Sequence, residues 1–264
     1  MRKLLFFFPL VAVLFYCWYT KQPVDVIPPI DSPDPVKPEM QSVDKQNEII
    51  TYINQSLDAL QSICHENVVI NYNGIRLAGD MIYEKDSKFR CLIYSKLGME
   101  SDMGSNATDF WFWSKRMEPS ALYYGKHSDL HKTKLKGELS PRWAMQVLNL
   151  HKIGPRAEIV LHKGRLYALE TSGKYIYVTM IDINKKAMLA HTIYTLDGDA
   201  IAGSANVDFY QVNGVFLPKK IIITWYNDGV VVSWTFKEPQ LNPTPADNAF
   251  VIPNYEPKKD LSKL

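Results

Sequence analysis

The sequence predicts a mainly β protein with a few helices, built on an antiparallel meander. Three observations carry this expectation. Between Arg156 and Glu238, runs rich in Ile, Val, Tyr, Phe and Thr are broken by Lys163-Gly164, Ser172-Gly173, Asn184-Lys185, Asp197-Gly198, Asn213-Gly214 and Asp228-Gly229. Asn-Gly and Asp-Gly supply the positive φ angles of tight hairpins, so consecutive runs pair antiparallel and form an up-and-down meander. The runs are also apolar on both sides. Tyr175, Tyr177 and Ile181 share one face while Ile176, Val178 and Met180 share the other; Ile222 and Tyr226 oppose Ile221, Ile223 and Trp225. Such a sheet needs a cover on each face or must curl around an interior, so an ordinary two-layer core and a hollow are both open. Lastly, stretches of helical periodicity stand before the first strands and in mid-chain, placed to cover it.

Taken in order, residues 1–20 form a membrane anchor or a lipoprotein signal segment. Met1-Arg2-Lys3 precedes an apolar run from Leu4 to Tyr19, and the bulky Phe15, Tyr16, Cys17, Trp18 and Tyr19 leave no small-residue cleavage site. Either the run stays as a short span with Arg2 and Lys3 on the cytoplasmic side, or Cys17 is lipidated, with Leu14 at the −3 position of that motif. Both alternatives tether the chain to a membrane with its domain facing away from the cytoplasm. Residues 21–42 are a linker in which Pro23, Pro28, Pro29, Pro33, Pro35 and Pro38 impose extended geometry.

The domain is expected over 43–255, followed by a C-terminal tail, 256–264. Asp44 is the expected N-cap of an amphipathic helix carrying Ile49, Ile50, Ile53, Leu57, Leu60 and Ile63 on one stripe. Strands are predicted over 68–72, 75–83, 88–96, 108–116 and 122–126, and residues 97–103 mix Leu and Met with turn formers. Phe110-Trp111-Phe112-Trp113 sends its tryptophans one way and its phenylalanines the other. Ser140-Pro141 opens a second helix, with proline at its first position, running to about Leu150. After the meander, Phe250-Val251-Ile252 is a candidate edge segment.

Composition excludes several function classes. A net charge of +2 with scattered basic residues gives no nucleic-acid footprint. Three cysteines, Cys17, Cys64 and Cys91, make neither a disulfide framework nor a zinc site, leaving Cys64 and Cys91 as free thiols or as one pair. His127, Asp129 and His131 would share a face of a strand, but no companion His or Cys motif supports a metal there. No phosphate loop, dinucleotide fingerprint, nucleophile elbow or His-Glu-x-x-His is present. His127, Glu170 and Ser204 are the residues a hydrolase would have to use. The expectation is therefore a protein without enzyme activity, cofactor or metal.

The order of an N-terminal anchor or signal, an amphipathic helix, several strands, a mid-chain helix and a hairpin meander resembles the LolA/LolB-like lipoprotein carrier and acceptor family. The stretches that carry the resemblance are Tyr194-Thr195-Leu196-Asp197-Gly198, the hairpin from Phe209 to Ile221 with Asn213-Gly214 and Pro218, and Ser105 to Trp113. It covers roughly Asp44 to Pro253. The resemblance implies a curved antiparallel sheet in the form of a half-open β-barrel in the periplasm of a bacterial envelope, with helices lidding an apolar cavity that takes the acyl chains of lipoproteins or lipids during outer-membrane lipoprotein sorting. It further implies a partner carrier protein, and the protein is expected to be monomeric. In that reading Met81, Tyr83, Leu92, Tyr94, Trp111 and Trp113 line the cavity from the earlier strands. From the meander, Tyr167, Leu169, Met180, Leu189, Ile193, Trp225 and Trp234 do so. Leu97, Met99 and Met103 form the implied membrane or cargo-transfer loop. A structural envelope lipoprotein with a filled core is the alternative.

Overall fold

The computed structural model describes residues 39–72, 74–85, 88–133 and 140–263. The anchor segment, Cys17 and the linker up to residue 38 lie outside the described residues. The described chain divides into two compact units, one of residues 61–141 and 236–263, the other of 39–60 and 142–235.

The second unit begins with strand β1 (Glu39–Met40) and helix α1 (Val43–Asp58). Ser42, not Asp44, is the N-cap. Its carbonyl accepts from Gln46 N at 2.9 Å, and Asp44 falls in the first turn, where a carboxylate complements the helix dipole. Ile49, Ile50, Ile53 and Leu57 form the buried stripe, and the helix packs against two strands of the meander, β8 and β13, delimited below. Ile63, expected on the same stripe, instead lies on the first long strand.

The first unit is a consecutive antiparallel ribbon: β2 (Ser62–Tyr72), β3 (Ile75–Glu84), β4 (Lys88–Ser95), β5 (Gly98–Ser105), β6 (Asp109–Ser114) and β7 (Leu122–Lys126). β5 is the strand the sequence hides. Its Gly98, Glu100, Ser101, Asp102, Gly104 and Ser105 have little intrinsic strand preference, and pairing on both sides, to β4 and β6, overrides it. Gly104 lets the Trp111 ring lie flat on the sheet: a Cβ there would sit 2.3 Å from Trp111 Cζ2 and 2.9 Å from the Phe89 carbonyl oxygen. Gly104→Ala is expected to destabilise by about 1–3 kcal/mol through overpacking, read as a lowered urea midpoint. A wild-type midpoint would mean the ring moves aside freely.

Helix α2 (Pro141–Val147) returns the chain to the second unit and starts, as expected, with proline at its first position. It ends early because Asn149 turns left-handed, at φ 57°, and Leu150 N closes on Met145 O at 2.9 Å. The meander follows: β8 (Glu158–His162), β9 (Arg165–Ser172), β10 (Tyr175–Asp182), β11 (Ala187–Thr195), β12 (Ala200–Val212), β13 (Val215–Trp225) and β14 (Val230–Thr235). Each pairs antiparallel with the next, β1 adds to β8, and β1 and β14 do not pair with each other. The hairpin from β12 to β13 turns on Asn213 and Gly214 at φ 51° and 80°, the paired positive angles that an Asn-Gly turn requires.

The C-terminal residues return to the first unit. β15 (Gln240–Leu241) pairs with β2, and β16 (Lys258–Asp260) lies parallel to β7, Lys259 opposite Tyr123. The stretch expected as a tail from residue 256 thus contributes a strand. Phe250-Val251-Ile252 is not an edge strand; it follows a turn, and the Phe250 carbonyl accepts from Asn106 Nδ2 at 3.2 Å. The expected class holds at this level: mainly β, antiparallel, with few helices and unclosed sheets.

Candidate functional site

Among the described residues the most exposed large apolar side chain is at a hairpin tip. β4 and β5 are joined by Lys96-Leu97, and Leu97 is 79% exposed. The hairpin is pinned from below. Glu100, almost fully buried, accepts from Arg116 Nε at 2.7 Å and Nη2 at 3.3 Å, while Ser95 Oγ donates to Glu100 and accepts from Leu97 N at 3.0 Å. The Arg116 bonds first, then Ser95, hold the Glu100 carboxyl below its usual range. Of the other two expected loop residues, Met99 is half-buried with its sulfur 3.7 Å from Tyr255 Oη. Met103 belongs to the core: it is 4% exposed on β5, in register with Cys91 and Phe112.

The expected lining residues do not share one face. In antiparallel sheets directly opposed residues point the same way, so registers assign the faces. In the first unit Met81 and Tyr83 lie with Cys91, Phe89 and Phe112 on one side. Leu92, Tyr94, Trp111 and Trp113 lie on the other, with Asp102 among them. That second side is covered by the C-terminal segment: the Tyr255 ring sits 4.9 Å from Trp113, and its hydroxyl donates to Asp102 at 2.9 Å. Asp102, fully buried, also accepts from Arg90 at 2.7 and 3.1 Å and from Trp111 Nε1 at 3.4 Å. The sequence offered no sign of this polar cluster, because a carboxylate between glycines and serines reads as a turn.

In the second unit Tyr167, Leu169 and Met180 join Val160, Val178, Ile176 and Tyr194 in one apolar cluster on a single face of β8–β11. Ile193, Trp225 and Trp234 point to the opposite face. Leu189 is displaced by a bulge between β10 and β11. With Leu166 and Met180 it lines an open hollow of about 400 Å³ at that end of the sheet.

The Ile193 face also carries a polar network under the segment after α2. Asn149 donates to Met188 O at 2.7 Å, and its Oδ1 accepts from Asn206 Nδ2 at 2.9 Å and lies 2.9 Å from His191 Nε2. His191 Nδ1 is 3.0 Å from Thr179 Oγ1. Since Asn149 Oδ1 can only accept, Nε2 carries the proton and Nδ1 accepts from threonine. Burial pushes His191 down to about 3, with the nearby His151 adding to the effect. On the same face Arg142 stands 4.3 Å from the Tyr177 ring centre and pairs with Glu170 at 3.1 Å, while Glu170 also accepts from Gly154 N at 3.1 Å. His191, on β11, is therefore a core hydrogen-bonding group.

Other expected candidates resolve simply. Cys64 and Cys91 are free, on strands separated by β3 and on opposite faces, so they do not pair. His127 begins a 3-10 turn, His127–Lys132, rather than a strand; its Nε2 lies 3.0 Å from Ser105 Oγ and from Asn106 O, and Asp129 pairs with Lys132. Among the described residues no three His, Cys, Asp or Glu side chains are placed to hold a metal, and no helix is long and apolar enough to cross a membrane.

A mainly β, unclosed antiparallel fold with few helices is shared with solved LolA-superfamily structures. Solved structures with this likeness include a DUF1329 family protein from Desulfovibrio piger, with a TM-score of 0.54 at 14% identity over 79% of this chain and 96% of that one. A putative outer membrane lipoprotein-sorting protein domain from Vibrio parahaemolyticus matches with 0.54 at 9% identity over 80% and 97%. A LolA superfamily protein from Nitrosomonas europaea matches with 0.50 at 12% identity over 76% and 97%. At such identities the likeness is one of fold. No family model and no curated protein sequence matches the chain.

Proposed function

We propose that this is a membrane-tethered periplasmic protein of the bacterial envelope that binds acyl chains of lipids or lipoproteins, as an acceptor or carrier in outer-membrane lipoprotein sorting. The observation that carries the reading is a LolA/LolB-like sheet with apolar side chains on both faces, Ile159, Ile193 and Ile221 on one and Val160, Tyr167 and Val178 on the other. Hydrocarbon needs only such a surface, because each methylene removed from water gains about 0.8 kcal/mol without any specific polar partner. In this proposal the helices lid an apolar cavity, the tether is residues 1–20 or an acylated Cys17, and a second carrier protein delivers the cargo. Leu97, at the hairpin tip, is the residue that meets the membrane or the arriving chain. In this proposal no catalytic step is involved, and two of the hydrolase candidates are occupied otherwise: Glu170 is held by Arg142 and Gly154, and Ser204 is buried on β12 opposite His191.

A structural envelope lipoprotein with a filled interior is the second reading, favoured by how completely Ile63, Leu122, Ile193 and Ile221 are excluded from solvent. Native mass spectrometry of the full chain, purified from bacterial membranes, separates the two. Acyl-chain adducts that survive detergent exchange and leave on delipidation are the expected result. A protein that is always free of lipid, and that takes up no labelled fatty acid, would leave only the second reading.

A further inference from the structure

The Leu97 hairpin is flanked by two hollows that share Arg76, Leu77, Ser95 and Lys96 as walls. One, of about 420 Å³, adds Tyr94 and Lys237; the other, of about 240 Å³, reaches to Leu97, Glu100 and Arg116. Arg76, Lys96 and Lys237 are exposed, and none makes an ion pair with a described carboxylate. The larger hollow has no acidic side chain in its wall. The smaller has Glu100, whose oxygens are already engaged by Arg116 and Ser95. Three unpaired cations thus surround an indentation beside a protruding leucine.

We propose that this end of the first unit docks on an anionic phospholipid surface, Arg76, Lys96 and Lys237 holding lipid phosphates while Leu97 enters the acyl boundary. The chemistry fits in sign and in the pairing of cations with an exposed apolar tip. A cation in the headgroup layer with an apolar tip just beyond it is the pattern of interfacial anchors, and juxtamembrane basic residues are drawn to anionic leaflets. Arg76 and Lys237 come from residues far apart in the chain, brought to one rim because β2–β3 and the segment after β14 meet at the same end of the sheet. The inference rests on the reading above for Leu97 as the residue that meets a membrane, and adds the anionic headgroup and the three cations that hold it.

The test uses the full chain reconstituted through its N-terminus in phosphatidylcholine vesicles with or without phosphatidylglycerol, so that the tether is the same in both. Hydrogen–deuterium exchange then reports on the amides of residues 94–99. Protection is expected only with phosphatidylglycerol, is lost at high salt, and is lost in Arg76→Ala/Lys96→Ala/Lys237→Ala. It should persist when Arg76 is replaced by lysine and Lys96 and Lys237 by arginine, which keeps the charge and controls for folding. Equal protection on both vesicle types, an unaffected triple alanine variant, or the same protection from inorganic phosphate alone would overturn the proposal. Acyl-chain content, measured by native mass spectrometry on the same protein before reconstitution, is independent of that result. Lost protection with retained acyl chains would remove the docking site alone, and the reverse would remove the carrier reading alone.

Discussion

Replacing Asp102 with alanine is expected to lower the unfolding free energy by roughly 3–5 kcal/mol, the range for removing one partner of a buried ion pair. Asp102 is fully excluded from solvent, and the Arg90 side chain is 20% exposed. Arg90 donates twice to Asp102 and once to Ala249 O, at 3.3 Å, while Tyr255 donates to Asp102 from the same segment. Burial first, then the Asp102 carboxylate, pushes the Tyr255 phenol up to about 12, so at neutral pH it stays a donor. Without the carboxylate, Arg90 keeps a charge with only a carbonyl beside it, and the C-terminal segment loses its central anchor. Urea unfolding should show the loss, and limited proteolysis should cut between residues 244 and 257 sooner. Asp102→Leu combined with Arg90→Met should recover much of the stability, since an apolar pair leaves no stranded charge. A single variant within about 1 kcal/mol of wild type would mean that water already reaches the site.

Mild acid is expected to produce the other large effect. Burial lowers His65 to about 4 and His191 to about 3; both side chains are almost fully excluded from solvent. An unfolded histidine titrates near 6.5. Above that pH the imidazoles are neutral in both states and contribute no pH dependence. As pH falls from about 6.5 towards 4, the unfolded chain takes up protons that the folded chain refuses, so stability drops. Each histidine contributes up to about 1.4 kcal/mol per pH unit, or nearly 3 kcal/mol per unit for the two. Over the roughly two pH units above the carboxylate range that amounts to about 5 kcal/mol, a large part of a typical total of about 5–15 kcal/mol. His151 acts in the same sense, lowered to about 4 by burial and then by Arg142, but it is only half-buried and adds less. The depressed Glu100 matters only below its own normal range and does not shape this window. Urea midpoints from pH 7 to pH 4.5 should fall steeply, and the slope should be shallower in His191→Gln. A flat profile would contradict the burial of these rings.

The meander was legible because its turns are written in short dipeptides, and Asn213-Gly214 adopts the angles its chemistry demands. What surrounds those turns was harder to read. β5 escaped detection because Gly98, Glu100, Asp102 and Gly104 become a strand only when β4 and β6 flank them. The cavity-lining set failed to separate into inside and outside for a related reason. Period-two patterning tells the faces apart only when one of them is wet, and here Leu92 and Ile93, or Ile176 and Tyr177, are both apolar. Cross-strand register decides the matter, and register belongs to pairs of strands rather than to single runs. The buried roles of Asp102 and His191 had no local signal at all, since each depends on partners distant in the chain, Tyr255 and Asn149. Leu97 could be found because a leucine beside glycine in a turn has nowhere to hide.

The placement of β16 beside β7 has a consequence for synthesis. The first unit is made of two separated stretches, with the whole meander translated between them. A ribosome therefore releases β2–β7 long before the strand that completes their outer edge exists, and that edge stands ready to pair with other chains meanwhile. Maturation of this half awaits residues 258–260, so nascent chains stalled short of Lys258 should be the species that aggregates or recruits chaperones.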